Sequence, residues 1–252
     1  MLPITLKQIL NDGPCLGLFS KTTDSAFVEA AGYGGMDFII LDMEHGPASL
    51  ATMHQHVRAA ALAGMASVIR ASGCDAHAIG SALDTGADGV QVPNINTAEQ
   101  ARQAVEAARF HPQGQRGVCR FVRAARFGTQ PKADYFTSAN EATVVLQVEG
   151  AEGVRNLDRI LEVEGFDVLF VGPYDLSQSV GLPGQVDAPE VIRLIEEIAR
   201  KASAKGILLG AFSDQVDRSR DLLDAGFRYL AHSVDVNVFA EACQRMKGAI
   251  RD

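Results

Sequence analysis

Two carboxylates, Glu149 and Asp175, close successive short apolar runs, 143–149 (TVVLQVE) and 167–172 (DVLFVG) with its tail Pro173-Tyr174-Asp175. Brought together on one rim, they form a hard oxygen site suited to Mg²⁺, Mn²⁺ or Co²⁺, with positions left for water and substrate oxygens. Structural carboxylates that cap loops or pair with arginines fit the same spacing equally well. Arg70 ends the otherwise apolar run 66–70 (ASVIR). A guanidinium there can hold a carboxylate or stabilise a developing oxyanion, or it can form a salt bridge to a nearby acid. Asp42 and His45 share one short stretch and can form a dyad in which the acid sets the tautomer and orientation of the ring. His54, His56, His77 and His111 lie in helical or loop stretches and read as packing or surface residues.

Such groups need a frame that gathers strand ends. Eight apolar runs read as strands: 15–20, 36–42, 66–70, 88–93, 143–149, 167–172, 206–212 and 228–233. Several are apolar on consecutive residues, as parallel strands buried on both faces require. Between them lie segments of helical spacing, such as 97–109 and 189–204, and small-residue turns at 31–32, 85–87, 205–206 and 224–226 sit where helix C-caps belong. The rhythm predicts a single-domain (β/α)8 TIM barrel over residues 1–252, with a short N-terminal helix in MLPITLKQILNDG. An open doubly wound sheet is the competing arrangement. The first strand, however, runs into Ser20-Lys21-Thr22-Thr23 and not into a glycine-rich phosphate turn. In a barrel, the polar residues concentrated at the ends of these runs share the C-terminal rim, where catalysis takes place.

Composition narrows the chemistry. The chain carries 23 basic and 31 acidic residues, a net charge of −8, and no Lys/Arg block, which argues against phosphate-backbone binding to nucleic acid. No apolar stretch reaches the ~18–20 residues that span a bilayer, and no signal-peptide pattern opens the chain. Four scattered cysteines without a CxxC fit reduced thiols in a cytoplasmic protein. A Schiff-base aldolase needs a lysine inside the barrel. Of Lys7, Lys21, Lys132, Lys201, Lys205 and Lys247, only Lys21 follows a strand end.

The motifs 42–47 (DMEHGP), Arg70, 83–93 (LDTGADGVQVP), 111–118 (HPQGQRGV), 147–149 (QVE) and 172–177 (GPYDLS), in this order, resemble the HpcH/HpaI family of metal-dependent class II pyruvate aldolases. The resemblance implies a barrel of the phosphoenolpyruvate/pyruvate type whose last helix packs on a neighbouring subunit, in a homo-hexamer arranged as a trimer of dimers. It implies cleavage of 4-hydroxy-2-oxo acids to pyruvate and an aldehyde through a metal-stabilised enolate, and the reverse addition. Glu149 and Asp175 take the place of the metal ligands. Arg70 takes that of the group on the keto oxygen, and His45, oriented by Asp42, that of the acid/base. Asp84 resembles the residue that reaches a neighbouring active site. Gln147 reads as a pocket residue, and the amides around Gly172, Pro173 and Tyr174 as the seat of the pyruvate carboxylate.

The chain departs from the family pattern after Val118, where Arg120, Arg123 and Arg126 enter a long connection. Arg120 and Arg123 could bind a substrate with a second carboxylate; pairing with acids at a subunit interface fits them equally. This departure sustains a second reading from the same family, a citrate synthase of siderophore biosynthesis that joins acetyl-CoA to oxaloacetate. A non-catalytic keto-acid-binding barrel would be expected to lack at least one of Glu149, Asp175, Arg70 and His45, and all four are present.

Overall fold

The computed structural model describes residues 5–251; Asp252 and the first four residues of the expected N-terminal helical segment lie outside the described residues. Strands β1 (Cys15–Ser20), β2 (Phe38–Asp42), β3 (Ala66–Arg70), β4 (Gly89–Val92), β5 (Thr143–Val148), β6 (Val168–Val171), β7 (Leu208–Ser213) and β8 (Tyr229–Val234) alternate with helices. Each strand pairs in parallel with the next, and β8 returns to β1, so the sheet closes in chain order as the expected TIM-type α/β barrel.

Side chains alternate along each strand between two cores. Ile39, Leu41, Ile69, Val90, Leu146 and Leu169 face the surrounding helices. Phe38, Ile40, Val68, Val145, Phe170 and Tyr229 fill the barrel. The inward register changes character toward the C-terminal rim. In β2 it runs Phe38, Ile40, Asp42; in β3, Ala66, Val68, Arg70; in β5, Val145, Gln147, and then Glu149 just past the strand. The ladder sets Asp42 beside Arg70 and Arg70 beside Gln91 at one height. The opposite mouth is closed by helix Leu6–Asp12, whose Leu6 and Leu10 join the inner core. A capping box between Thr5 and Gln8 starts this helix.

Two expected strands begin two residues later than their apolar runs. The Met36 amide turns back to the Ala31 carbonyl (3.2 Å), and Gly206 ends the helix Pro189–Ala204 with φ of +70°, so neither joins a ladder. Ala31 and Gly32 lie inside helix Ser25–Tyr33, and the positive-φ residue of that turn is Gly35. The last helix, Asp235–Arg251, leaves Val236, Val238, Phe239, Met246 and Ile250 exposed. Among the described residues, no helix is long and apolar enough to cross a membrane.

Candidate active site

Asp42 is fully buried at the end of β2. Arg70 grips it with two parallel bonds, Nε to Oδ1 at 2.9 Å and Nη2 to Oδ2 at 2.7 Å. Lys21 adds its ammonium 2.6 Å from Oδ2. Oδ1 also accepts the backbone N–H groups of Glu44 (3.0 Å) and His45 (3.3 Å). Burial opposes ionisation, but the Arg70 and Lys21 charges outweigh it and hold the Asp42 carboxyl down at about 2. For Arg70, burial likewise disfavours the charge and Asp42 more than restores it, so its proton affinity rises. The guanidinium also lies over the Phe19 ring, 4.8 Å from its centroid.

The expected Asp42–His45 dyad is corrected by this arrangement. Asp42 touches only the backbone of His45, because a short acid opening a loop caps the amides that follow it. The His45 ring is 62 % exposed and comes no nearer to a carboxylate than 3.9 Å, at Glu44 Oε2. Gly46 completes the loop. A Cβ there would lie 2.2 Å from the Asp42 carbonyl oxygen, so only glycine fits. Gly46→Ala should displace the Glu44–His45 segment, costing about 1–3 kcal/mol in thermal unfolding and lowering turnover.

Glu149 accepts the Asn94 amide on Oε1 (2.9 Å) and the Gln147 side-chain amide on Oε2. Asn94 adopts φ of +59°, which asparagine tolerates, and its Nδ2 reaches Glu44 Oε1 at 2.9 Å, tying the two acids together. Behind Gln147 runs a buried chain in one sense only. The carboxylate requires an NH₂ from Gln147, whose oxygen then faces Gln91 Nε2 (2.5 Å), and Gln91 Oε1 accepts from Tyr229 Oη (3.4 Å). Burial pushes the Glu149 carboxyl up to about 7; the two hydrogen bonds pull it back only in part, and the Asp175 and Glu44 charges push it further up. Glu44 is raised too, chiefly by burial. Its Oε2 lies 3.0 Å from Arg70 Nη1 but accepts no hydrogen bond.

Asp175 stands in the first turn of helix Pro173–Ser179. Pro173 sets the N1 backbone and has no N–H to give. Gly172 leaves room for the Glu149 side chain: a Cβ there would sit 2.6 Å from Glu149 Oε2 and push the carboxylate aside. Tyr174 reaches away to the turn after β7, donating to Asp214 Oδ2 at 2.5 Å, and this bond first, then burial, lifts its hydroxyl to about 12. Among the described residues no three His, Cys, Asp or Glu side chains form a ligand cluster. Of the acids at this rim, Glu149 and Asp175 are the two expected to meet a cation, and the Asp175 charge is felt at Glu149. Buried acid oxygens drawn up in proton affinity, one of them at Glu44 without a donor, and the glycine gap at 172 fit a hard divalent ion.

Three expected residues lie elsewhere. Arg123 donates to the Thr85 (3.0 Å) and Gly86 (3.2 Å) carbonyls, where helix Ala76–Asp84 leads down into β4. These are orphan carbonyls at a helix C-terminus, a natural seat for a cation, at the end of the barrel opposite the rim. Arg120 folds back on the Gly128 (3.0 Å) and Gln130 (2.9 Å) carbonyls of its own loop. Arg123 thus serves the far end of the barrel, and Arg120 is engaged through Nη2 while its buried Nε meets no acceptor. Asp84 pairs with buried Arg116 at 2.7 Å, also away from its own rim. Conversely, Lys21, Glu44, Gln91 and Asn94 enter the cluster without having been singled out as site residues. Lys21 had the clearest signal, as the sole lysine at a strand end.

The HpcH/HpaI aldolase/citrate lyase family model matches residues 15–242. The chain is 38 % identical over 245 residues to the 2-keto-3-deoxy-L-rhamnonate aldolase of Salmonella gallinarum (strain 287/91 / NCTC 13346), covering 96 % of this chain and 91 % of that protein. An HpcH/HpaI aldolase/citrate lyase family protein from Burkholderia cenocepacia J2315 superposes with a TM-score of 0.93 at 34 % identity, over 98 % of this chain and 99 % of that one. Citrate synthase SbnG superposes with a TM-score of 0.89 at 27 % identity, over 98 % of each chain.

Proposed function

The chain belongs to the HpcH/HpaI aldolase/citrate lyase family, and on that premise we propose that it is a lyase that cleaves a 4-hydroxy-2-oxo acid, of the 2-keto-3-deoxy aldonate class, into pyruvate and an aldehyde, and runs the reverse addition. The observation that carries this reading is the buried Arg70, pinned by two bonds to Asp42 at the C-terminal rim on which Glu149 also stands.

Held by Glu149 and Asp175, a divalent cation would supply Lewis acidity toward the oxo and carboxylate oxygens of the keto acid. The chain's own groups do the rest. Arg70 presents its guanidinium edge to the C2 oxygen and lowers the cost of negative charge there. The Tyr174 and Asp175 amides, in a helical first turn without intrahelical acceptors, seat the carboxylate. His45, its ring exposed at the rim, takes the proton of the C4 hydroxyl as the C3–C4 bond breaks and the electron pair moves to the C2 oxygen. A proton then adds to C3 to give pyruvate. In a hexamer of three dimers, Asp84 would reach a neighbouring active site, and the exposed apolar side chains of the last helix would be covered. The free cysteines fit a cytoplasmic setting.

The second reading, condensation of acetyl-CoA with oxaloacetate, has the likeness to citrate synthase SbnG in its favour. Against it stands the placing of the two arginines expected to hold a second carboxylate: Arg120 Nη2 and Arg123 Nη1 bind backbone carbonyls, Arg123 at the end of the barrel opposite its own rim. The deciding assay offers 2-keto-3-deoxy-L-rhamnonate with Mg²⁺, Mn²⁺ or Co²⁺ and follows pyruvate. A parallel assay offers oxaloacetate and acetyl-CoA and follows citrate and free CoA. Metal-dependent pyruvate release without citrate is expected; citrate without pyruvate would overturn the reading.

A further inference from the structure

The loop after β1 is built with more care than a connection needs. Buried Asp235, at the junction of β8 and the last helix, accepts the Ser20 hydroxyl (2.9 Å), the Lys21 amide (3.0 Å to each oxygen) and the Thr22 amide (3.3 Å). From the other side, fully buried His56 meets the Thr22 carbonyl through Nε2 at 3.0 Å. These contacts fix the backbone at Lys21 and aim its side chain across the rim at Asp42. No other lysine takes part in the cluster.

The charges there explain why a second cation is needed. Arg70 faces two acids, Asp42 at 2.7 Å and Glu44 at 3.0 Å. Alone, it would be a single positive charge between two negative ones, and an incoming oxyanion would meet net repulsion. Lys21 contacts the same Asp42 oxygen that Arg70 Nη2 contacts, 2.6 Å against 2.7 Å. It therefore shares Asp42 and brings these four groups to balance, with Glu149 and Asp175 left to the cation they would hold.

We propose that Lys21 is a positioning residue for Arg70: clamped by Asp235, it takes part of the Asp42 charge and so keeps the guanidinium both fixed and available to an oxyanion. The inference rests on the role given to Arg70 above and adds a residue to it.

The test compares wild type, Lys21→Met and Lys21→Arg with Mn²⁺ present. Three quantities are read: turnover of 2-keto-3-deoxy-L-rhamnonate, the affinities for pyruvate and for oxalate, and thermal unfolding. Oxalate carries on its second carboxylate the negative charge that the C2 oxygen of pyruvate gains only in the enolate. Lys21→Met should lower kcat by about tenfold to a hundredfold and weaken oxalate by about tenfold while pyruvate changes by about twofold. Lys21→Arg, which restores the charge, should recover most of both. A merely structural lysine would lower the unfolding temperature and weaken the two ligands alike. Wild-type kcat and oxalate affinity in Lys21→Met would overturn the proposal, as would equal weakening of both ligands. So would a pyruvate adduct trapped on Lys21 by borohydride, since that makes the lysine a nucleophile. If wild type itself neither cleaves the keto acid nor binds oxalate, the lyase reading has failed and Lys21 falls with it.

Discussion

Arg70→Lys is expected to lower kcat for keto-acid cleavage by about 10²–10³-fold, the loss typical of removing one preorganised oxyanion donor, with a much smaller change in KM. Lysine keeps the charge but not the planar fork that grips both Asp42 oxygens and approaches Glu44. Its ammonium can satisfy Asp42 or face the substrate, and buried Asp42 will claim it. The step affected can be isolated by incubating the enzyme with Mn²⁺ and pyruvate in D₂O and following loss of methyl proton signal by NMR. This reads enolate formation with no aldehyde present. Arg70→Lys should lose exchange and cleavage together. His45→Ala, if the ring serves the C4 hydroxyl, should lose cleavage by the larger factor. Wild-type exchange in Arg70→Lys would show that the guanidinium does not carry the enolate charge. Arg70→Met is a harsher variant. It leaves Asp42 with Lys21 as its remaining cation and strips it of two buried hydrogen bonds, at a cost of about 1–3 kcal/mol, so its lost activity would be mixed with lost stability.

The barrel could be read from the chain because the information is local. Short apolar runs alternate with helical spacing, and the inward register of β2, β3 and β5 turns polar at its last positions, which marks the rim as well as the fold. Arg70, Gln147 and Glu149 could be placed because they terminate strands, where direction follows from parity. Loops carry no such parity. Asp42 and His45 have a spacing suited to a side-chain dyad, but the same spacing suits an acid capping the next amides, and the backbone won. Arg120 and Arg123 looked available because a long connection does not say which end of the barrel it serves. The orphan carbonyls at Thr85 and Gly86 decided that. Lys21 reaches Asp42 only through the Asp235 clamp, a contact between opposite ends of the chain that no sequence spacing announces.

Glu149→Gln should separate stability from function in opposite directions. With its carboxyl raised from 4.5 to about 7, Glu149 favours the protonated form in the folded protein. Folding therefore loses stability as pH rises from about 4.5 to about 7, and the loss levels off above, at about 3 kcal/mol by linkage. A glutamine carries no charge to bury and escapes that cost. It does so incompletely, because an amide NH₂ facing Gln147 turns the Gln147–Gln91 chain round and leaves the buried Tyr229 hydroxyl without an acceptor, a penalty of about 1–2 kcal/mol. Metal-free Glu149→Gln is thus expected to be about 1–2 kcal/mol more stable than wild type at pH 7.5 and no more stable at pH 4.5. Mn²⁺ should invert the order. Bound by the deprotonated acid, it should raise the unfolding temperature of wild type strongly at pH 7.5 and weakly at pH 5, where a proton competes for Glu149. It should leave Glu149→Gln unmoved at either pH, with kcat reduced by at least about 10³-fold. Titrating Mn²⁺ against thermal unfolding at the two pH values decides the matter. A wild type whose Mn²⁺ response is independent of pH, or a Glu149→Gln variant that responds as wild type does, would remove Glu149 from the metal site. The buried acid would then have to owe its place to the Tyr229–Gln91–Gln147 chain alone.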